Sequence, residues 1–168
     1  MEAKRIQLLT IRLVRAGRLK IGDVFSSDPF VRIYWEGEET AAGRTRRSKP
    51  VESRVINSQL DPVWNEELVI EWKYPEHKAL IVDVFDKDPV TDDFLGRARI
   101  PVVLMTSSDV QYMLGPRTSS DKDITGFVVL SFIVPKVFAR QNSGLKRICM
   151  ASLSLSFPPL CVVCMLFC

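Results

Sequence analysis

Residues 80–96 read LIVDVFDKDPVTDDFLG, and the change of character halfway along this stretch decides the fold. Leu80, Val82 and Val84 recur at a period of two, the pattern of a β-strand with one face in a core. Carboxylates follow at once: Asp86, Asp88, Asp92 and Asp93, interrupted by Pro89. A strand that ends in so many acids crowds like charges into one loop, where they repel unless a cation lies between them. Hard oxygen ligands of this type and number suit calcium, which accepts roughly six to eight oxygens in flexible geometry. Magnesium demands a rigid octahedron and fits such a loop less well.

Outward from this stretch the same arrangement recurs. GDVFSSDPFVRIYW, residues 22–35, places Asp23 and Asp28 just ahead of an alternating run at Val31, Ile33 and Trp35. Nearer the start, Leu9, Ile11 and Leu13 share one face, with Thr10 and Arg12 opposite. Further strands are expected over residues 51–57, 65–73, 94–102, 110–115 and 126–134, and residues 103–110 have room for one helical turn. Short strands separated by Pro, Gly, Asp and Asn turns predict an all-β chain, an eight-stranded antiparallel β-sandwich followed by a C-terminal tail. The acidic loops would then meet at one end of the sandwich, forming a cup for calcium.

Composition supports one domain. The chain has 168 residues, 46% of them hydrophobic and 26% charged, as in ordinary globular proteins. The net charge of +3 is unevenly spread, because residues 136–168 contain Lys136, Arg140, Lys146 and Arg147 and no acid. Residues 1–135 hold 19 basic and 20 acidic side chains, which argues against a nucleic-acid partner. All four cysteines, Cys149, Cys161, Cys164 and Cys168, lie in the tail, so the body has no disulfide framework. The first residues lack the form of a signal peptide, since Arg12 and Arg15 interrupt their apolar run. A cytoplasmic protein is expected.

The expected division is a domain over 1–135, a basic linker over 136–147 and an apolar tail over 148–168. That tail is 21 residues without a charge, close to the ~20 needed to cross a bilayer. Two readings stand for it: a single span with Lys146 and Arg147 on the cytoplasmic side, or a segment outside the fold. Pro158 and Pro159 at its middle, and the alternating Ser152, Ser154 and Ser156, weigh toward the second. Cys161 and Cys164 make one CxxC, and a zinc site needs a second pair.

Three stretches together resemble a C2 domain: LLTIRLVRAGRLKIGDVFSSDPFVRIYW (8–35), SQLDPVWNEELVIEW (58–72) and LIVDVFDKDPVTDDFLGRARIPV (80–102). SDPFV resembles the family's SDPYV. DPVWNEE resembles its NPxWNE, whose Trp packs in the core. DKDPVTDDFLG resembles its DxD followed by Asp, an apolar pair and Gly. The resemblance implies calcium ligation by Asp23, Asp28, Asp86, Asp88 and Asp93, with the backbone carbonyls of Val24 and Lys87 completing the shell. Asp92 remains an alternative to Asp93. The implied function is calcium-dependent, peripheral docking on anionic phospholipid membranes, such as those containing phosphatidylserine or phosphoinositides. VQYMLGPRTSSDKDITGFVVLSFIVPK (110–136) further resembles the last strands of the N-terminal C2 domain in WW-domain-containing HECT-type (Nedd4-like) ubiquitin ligases. No WW repeat or HECT domain is present in this chain, so it is not expected to be an enzyme.

Apolar residues at the tips of the acidic loops, Val24, Phe25, Pro89 and Val90, are placed to enter a bilayer surface; alternatively Phe25 folds back on the sandwich. The basic run Arg44, Arg46, Arg47, Lys49 and Arg54 is either a phosphoinositide or anionic-lipid contact or a solvated loop. His77 reads as an exposed loop histidine. Two competing classes are a protein-interaction or autoinhibitory module, with no need for calcium, and a metal-dependent phosphotransfer enzyme. The latter needs a nucleophile and a transition-state cation beside the metal, and Lys87 is the one basic residue within either acidic cluster.

Overall fold

A computed structural model describes residues 5–20, 27–39, 43, 45–74 and 76–133. The chain divides at Lys136, and every described residue belongs to the first unit, Met1–Lys136. The alternating segments form strands β1 (Arg5–Gly17), β2 (Pro29–Glu39), β3 (Thr45–Arg47), β4 (Val51–Glu52), β5 (Val63–Tyr74), β6 (Ala79–Asp86), β7 (Asp93–Pro101), β8 (Val110–Met113) and β9 (Phe127–Ile133). One 3-10 turn, Val102–Leu104, lies where a single helical turn was expected.

All strand pairings are antiparallel, in two sheets. The first runs β5-β1-β9-β8; the second runs β3-β2-β6-β7, with β4 also paired to β2. The alternating faces meet between the sheets. Leu9, Ile11, Leu13, Leu130 and Phe132 from one side are fully buried, as are Val31, Ile33, Trp35, Leu80, Val82 and Val84 from the other. Trp35 and Trp72 stack at 5.8 Å. Each buried side chain of this size contributes roughly 1.5–3 kcal/mol.

The expected sandwich is present, with nine strands among the described residues instead of eight. The segment expected as one strand over 51–57 pairs only at Val51–Glu52. Beyond it, Ser53 turns its hydroxyl to accept the Val31 N–H at 2.9 Å, and Arg54 donates through its guanidinium to the Trp64 carbonyl. The added strand, β3, is fully exposed and has no apolar alternation to announce it.

Two irregularities position the loops. Leu13 faces Glu66 and Arg15 faces Val63, so β5 carries one extra residue there. Asn65, at φ 46°, takes the left-handed conformation that Asn tolerates. Between β6 and β7, Val84 faces Gly96 while Phe85 faces Phe94. Without that offset Asp86 would face Phe94; with it, Asp86 faces Asp93. Gly96 is required by close approach, since a Cβ there would lie 2.8 Å from Leu114 Cβ and 3.0 Å from Ile124.

Candidate metal and anion sites

Asp86 ends β6 at the centre of the second sheet, facing Pro29 on one side and Asp93 on the other. Its carboxylate is 1% exposed. Oδ1 accepts the N–H of Asp28 at 2.5 Å, while buried Oδ2 has no hydrogen-bond partner. Leaving such an atom unpaired costs about 1–3 kcal/mol, more for a charged group. Asp28 precedes β2, and its Oδ1 accepts the Ser58 N–H at 2.7 Å. Its carbonyl accepts the Lys87 N–H at 3.0 Å, tying the two loops together.

Asp92 and Asp93 are distinguished by their partners. Asp92 accepts a hydrogen bond from Lys87 Nζ at 2.9 Å and lies 3.6 Å from the Arg32 guanidinium. Two cations therefore compensate its charge already. Asp93 is exposed and forms no ion pair among the described residues. Asp88 is half-buried in the loop after β6; beyond it Pro89 and Val90 are exposed, Val90 at 95%. Asp23, Val24 and Phe25 lie outside the described residues, as does Arg44. Among the described residues no three acidic, His or Cys side chains close on one point. The donor set, all oxygen, and the orphaned Oδ2 of Asp86 nonetheless fit a hard divalent cation.

Below the loop end, on the outer face of β2, β6 and β7, lies a cluster the sequence did not announce. Phe30, Phe85 and Phe94 are buried against one another, with Ile124 over them. Arg32 lies 4.7 Å from the Phe85 ring centroid, Lys87 5.6 Å from that of Phe30 and Arg117 3.7 Å from that of Phe94. One strand pair further, Asp83, 3% exposed, accepts from Arg97 Nε at 2.6 Å and Nη2 at 2.8 Å, and from the Tyr34 hydroxyl at 3.2 Å. The hydrogen bonds that Arg97 donates to Asp83 hold the Arg97 pKa up, while burial, then Asp83, raises that of Tyr34. The one sequence signal was an Asp in the middle of an otherwise apolar run.

The basic run forms part of a groove of about 1020 Å³ between the two sheets' edges. Arg46, Arg47 and Lys49 line it together with Val69, Glu71 and Lys73 of β5. Arg54 does not join them, being spent on Trp64. His77, also in the lining, departs from its expected role as an exposed loop residue. It is half-buried, stacks on Trp35 at 5.2 Å, and its Nδ1 accepts the Lys73 N–H at 3.1 Å. Burial, followed by the nearby Lys73 charge, pushes its pKa down from 6.5. Among the described residues no helix is long and apolar enough to cross a membrane; residues 148–168 lie outside them.

A family model described as C2 domain matches residues 7–113. Protein C2-DOMAIN ABA-RELATED 11 of Arabidopsis thaliana is 39% identical over 94 residues, which cover 55% of this chain and 49% of that protein. Among solved structures, the paired C2 domains of Extended-Synaptotagmin 2 match with a TM-score of 0.57 at 28% identity, covering 74% of this chain and 39% of that one. The same pair with calcium bound matches at 0.57 and 24% identity, over 83% and 52% respectively. The chain thus spans half or less of the length of the curated relative named here. None of these proteins is, by its name, a ubiquitin ligase.

Proposed function

The chain belongs to the C2-domain family, and on that premise we propose that it is a calcium-dependent membrane-docking module. The observation that carries this reading is Asp86: a buried carboxylate oxygen without a partner, in a strand register that faces it with a second carboxylate. A solved relative whose name records bound calcium supports the choice of ion. Asp23, Asp28, Asp86, Asp88 and Asp93 would hold it, with the carbonyls of Val24 and Lys87. Asp93 is preferred to Asp92, because Asp92 already has Lys87 and Arg32.

When bound, calcium supplies two positive charges and open coordination positions that a lipid phosphate or carboxylate oxygen fills. The protein's own part is electrostatic and apolar. Uncompensated, the five aspartates repel an anionic surface; neutralised, they let the loop end approach it. Val24, Phe25, Pro89 and Val90 then add apolar area at the membrane boundary. Arg46, Arg47 and Lys49 add a long-range attraction to the anionic surface, about 1 kcal/mol for each cation close to it; Arg44 belongs with them by sequence alone, and Arg54, spent on Trp64, drops out of the set.

In this reading the domain ends near residue 135, ahead of a basic linker and an apolar tail. The protein is cytoplasmic and peripheral. Kinship with the N-terminal domain of HECT-type ligases rests on the resemblance of residues 110–136 and of VTDDFLG at 90–96. The named relatives being larger proteins, any catalytic activity belongs to segments other than this module. Co-sedimentation of the full chain with phosphatidylserine vesicles tests the proposal. Binding in calcium and none in chelator is expected; equal binding in both removes the calcium mechanism, and binding in neither leaves a protein-docking module as the alternative.

A further inference from the structure

The first sheet ends on an open edge. β5 pairs with β1 and with no other described strand. In an antiparallel pair, residues alternate between those that exchange both backbone bonds with the partner and those that turn both away. Lys73 is of the second kind: its N–H donates to His77 Nδ1 at 3.1 Å and its carbonyl accepts the His77 N–H at 3.0 Å. The register runs unbroken from Glu66 to Tyr74. Glu71, Val69 and Glu67 therefore also turn their N–H and C=O groups away from β1. His77 ends this row at Lys73, and at the far end Arg54 takes the Trp64 carbonyl.

Between those ends lies about 13 Å of strand edge, at 3.3 Å per residue, with donors and acceptors that the sheet does not use. That edge borders the groove, since Val69, Glu71 and Lys73 are in its lining. The lining is net positive: Arg46, Arg47, Lys49 and Lys73 outnumber Glu71 and Glu76. Burial keeps His77 from adding a charge near neutral pH.

We infer that this groove takes an extended acidic peptide, which adds to β5 as a further strand and sets its carboxylates against Arg46, Arg47 and Lys49. The row of backbone groups decides between this occupant and a lipid headgroup. A headgroup's phosphates accept hydrogen bonds, and its few hydroxyl or ammonium donors do not repeat along a strand, so it leaves most of the outward carbonyls of Glu67, Val69 and Glu71 unanswered. A peptide backbone answers donors and acceptors alike. The site needs no metal and is independent of the calcium reading.

The test is amide hydrogen exchange of the full chain, followed by NMR, with a capped hexapeptide of alternating glutamate and valine as probe. On its addition the amides of Glu67, Val69 and Glu71 slow by about tenfold, while those of Leu68 and Ile70, bonded to β1, stay as they were. The same peptide N-methylated at every residue, with no N–H left on either edge, leaves all five unchanged. Arg46→Glu with Lys49→Glu weakens the probe by about tenfold. The proposal is overturned if the three amides do not slow, or if the N-methylated peptide slows them equally. It is also overturned if vesicles containing phosphoinositide occupy the groove and the peptide fails to displace them.

Discussion

Asp86→Asn removes one charge from the most crowded point of the loop end and leaves the shape unchanged. Oδ1 of Asp86 is engaged by the Asp28 N–H, and the amide oxygen of Asn keeps that bond; the new NH2 replaces the orphaned Oδ2. Asp93 faces Asp86 across β6 and β7. Opposed residues hold their Cβ atoms roughly 5 Å apart, and two unit charges at that separation repel by about 3 kcal/mol at an effective dielectric of about 20. Solvent around exposed Asp93 screens much of this, so the substitution is expected to raise stability without metal by about 1 kcal/mol. With calcium the sign reverses. A ligand that binds only the folded state adds about 2.7 kcal/mol at roughly a hundred times its Kd, and the variant forfeits most of that gain. Trp35, Trp64 and Trp72 are all buried and report unfolding by fluorescence. In urea the variant should outlast the wild type in chelator and fall below it in calcium. The reasoning is refuted if the variant is the less stable in chelator and gains as much from calcium as the wild type does.

Arg97→Leu leaves Asp83 buried without a countercharge and should cost about 3–5 kcal/mol in urea unfolding; adding Asp83→Leu should recover most of that loss. Burial lowers the His77 pKa from 6.5, so the fold favours the neutral ring, and the unfolded chain binds the proton first as pH falls. Stability should therefore be complete above pH 6.5 and decline below it, with a flatter profile in His77→Phe, measured by urea midpoints across that range. Gly96→Val forces a side chain into Leu114 and Ile124 and should cost about 1–3 kcal/mol, read as a lowered melting temperature.

The strands legible in the sequence were those with one buried face. Val31, Ile33 and Trp35, or Leu80, Val82 and Val84, alternate because the opposite positions point out of the core. β3 was not legible, because all three of its residues are exposed and only pairing with β2 makes it a strand. β6 carried a second message: every residue in it is buried, since the outer face of that sheet holds the phenylalanine cluster and the Asp83–Arg97–Tyr34 network. Period-two alternation reports one face only, so the covering of the other went unseen. The acidic loops were legible as a crowd. The choice between Asp92 and Asp93 was not, because it depends on where Lys87 and Arg32 place their charges. His77 was misread for a similar reason: its burial is conferred by Trp35, distant in sequence.

Calorimetric titration of calcium into the full chain, alone and with phosphatidylserine vesicles, probes the central claim most directly. The account predicts saturable binding that tightens when vesicles are present, because lipid oxygens complete the coordination that the aspartates begin. Absence of binding heat at millimolar calcium, or an affinity that vesicles leave unchanged, would contradict it.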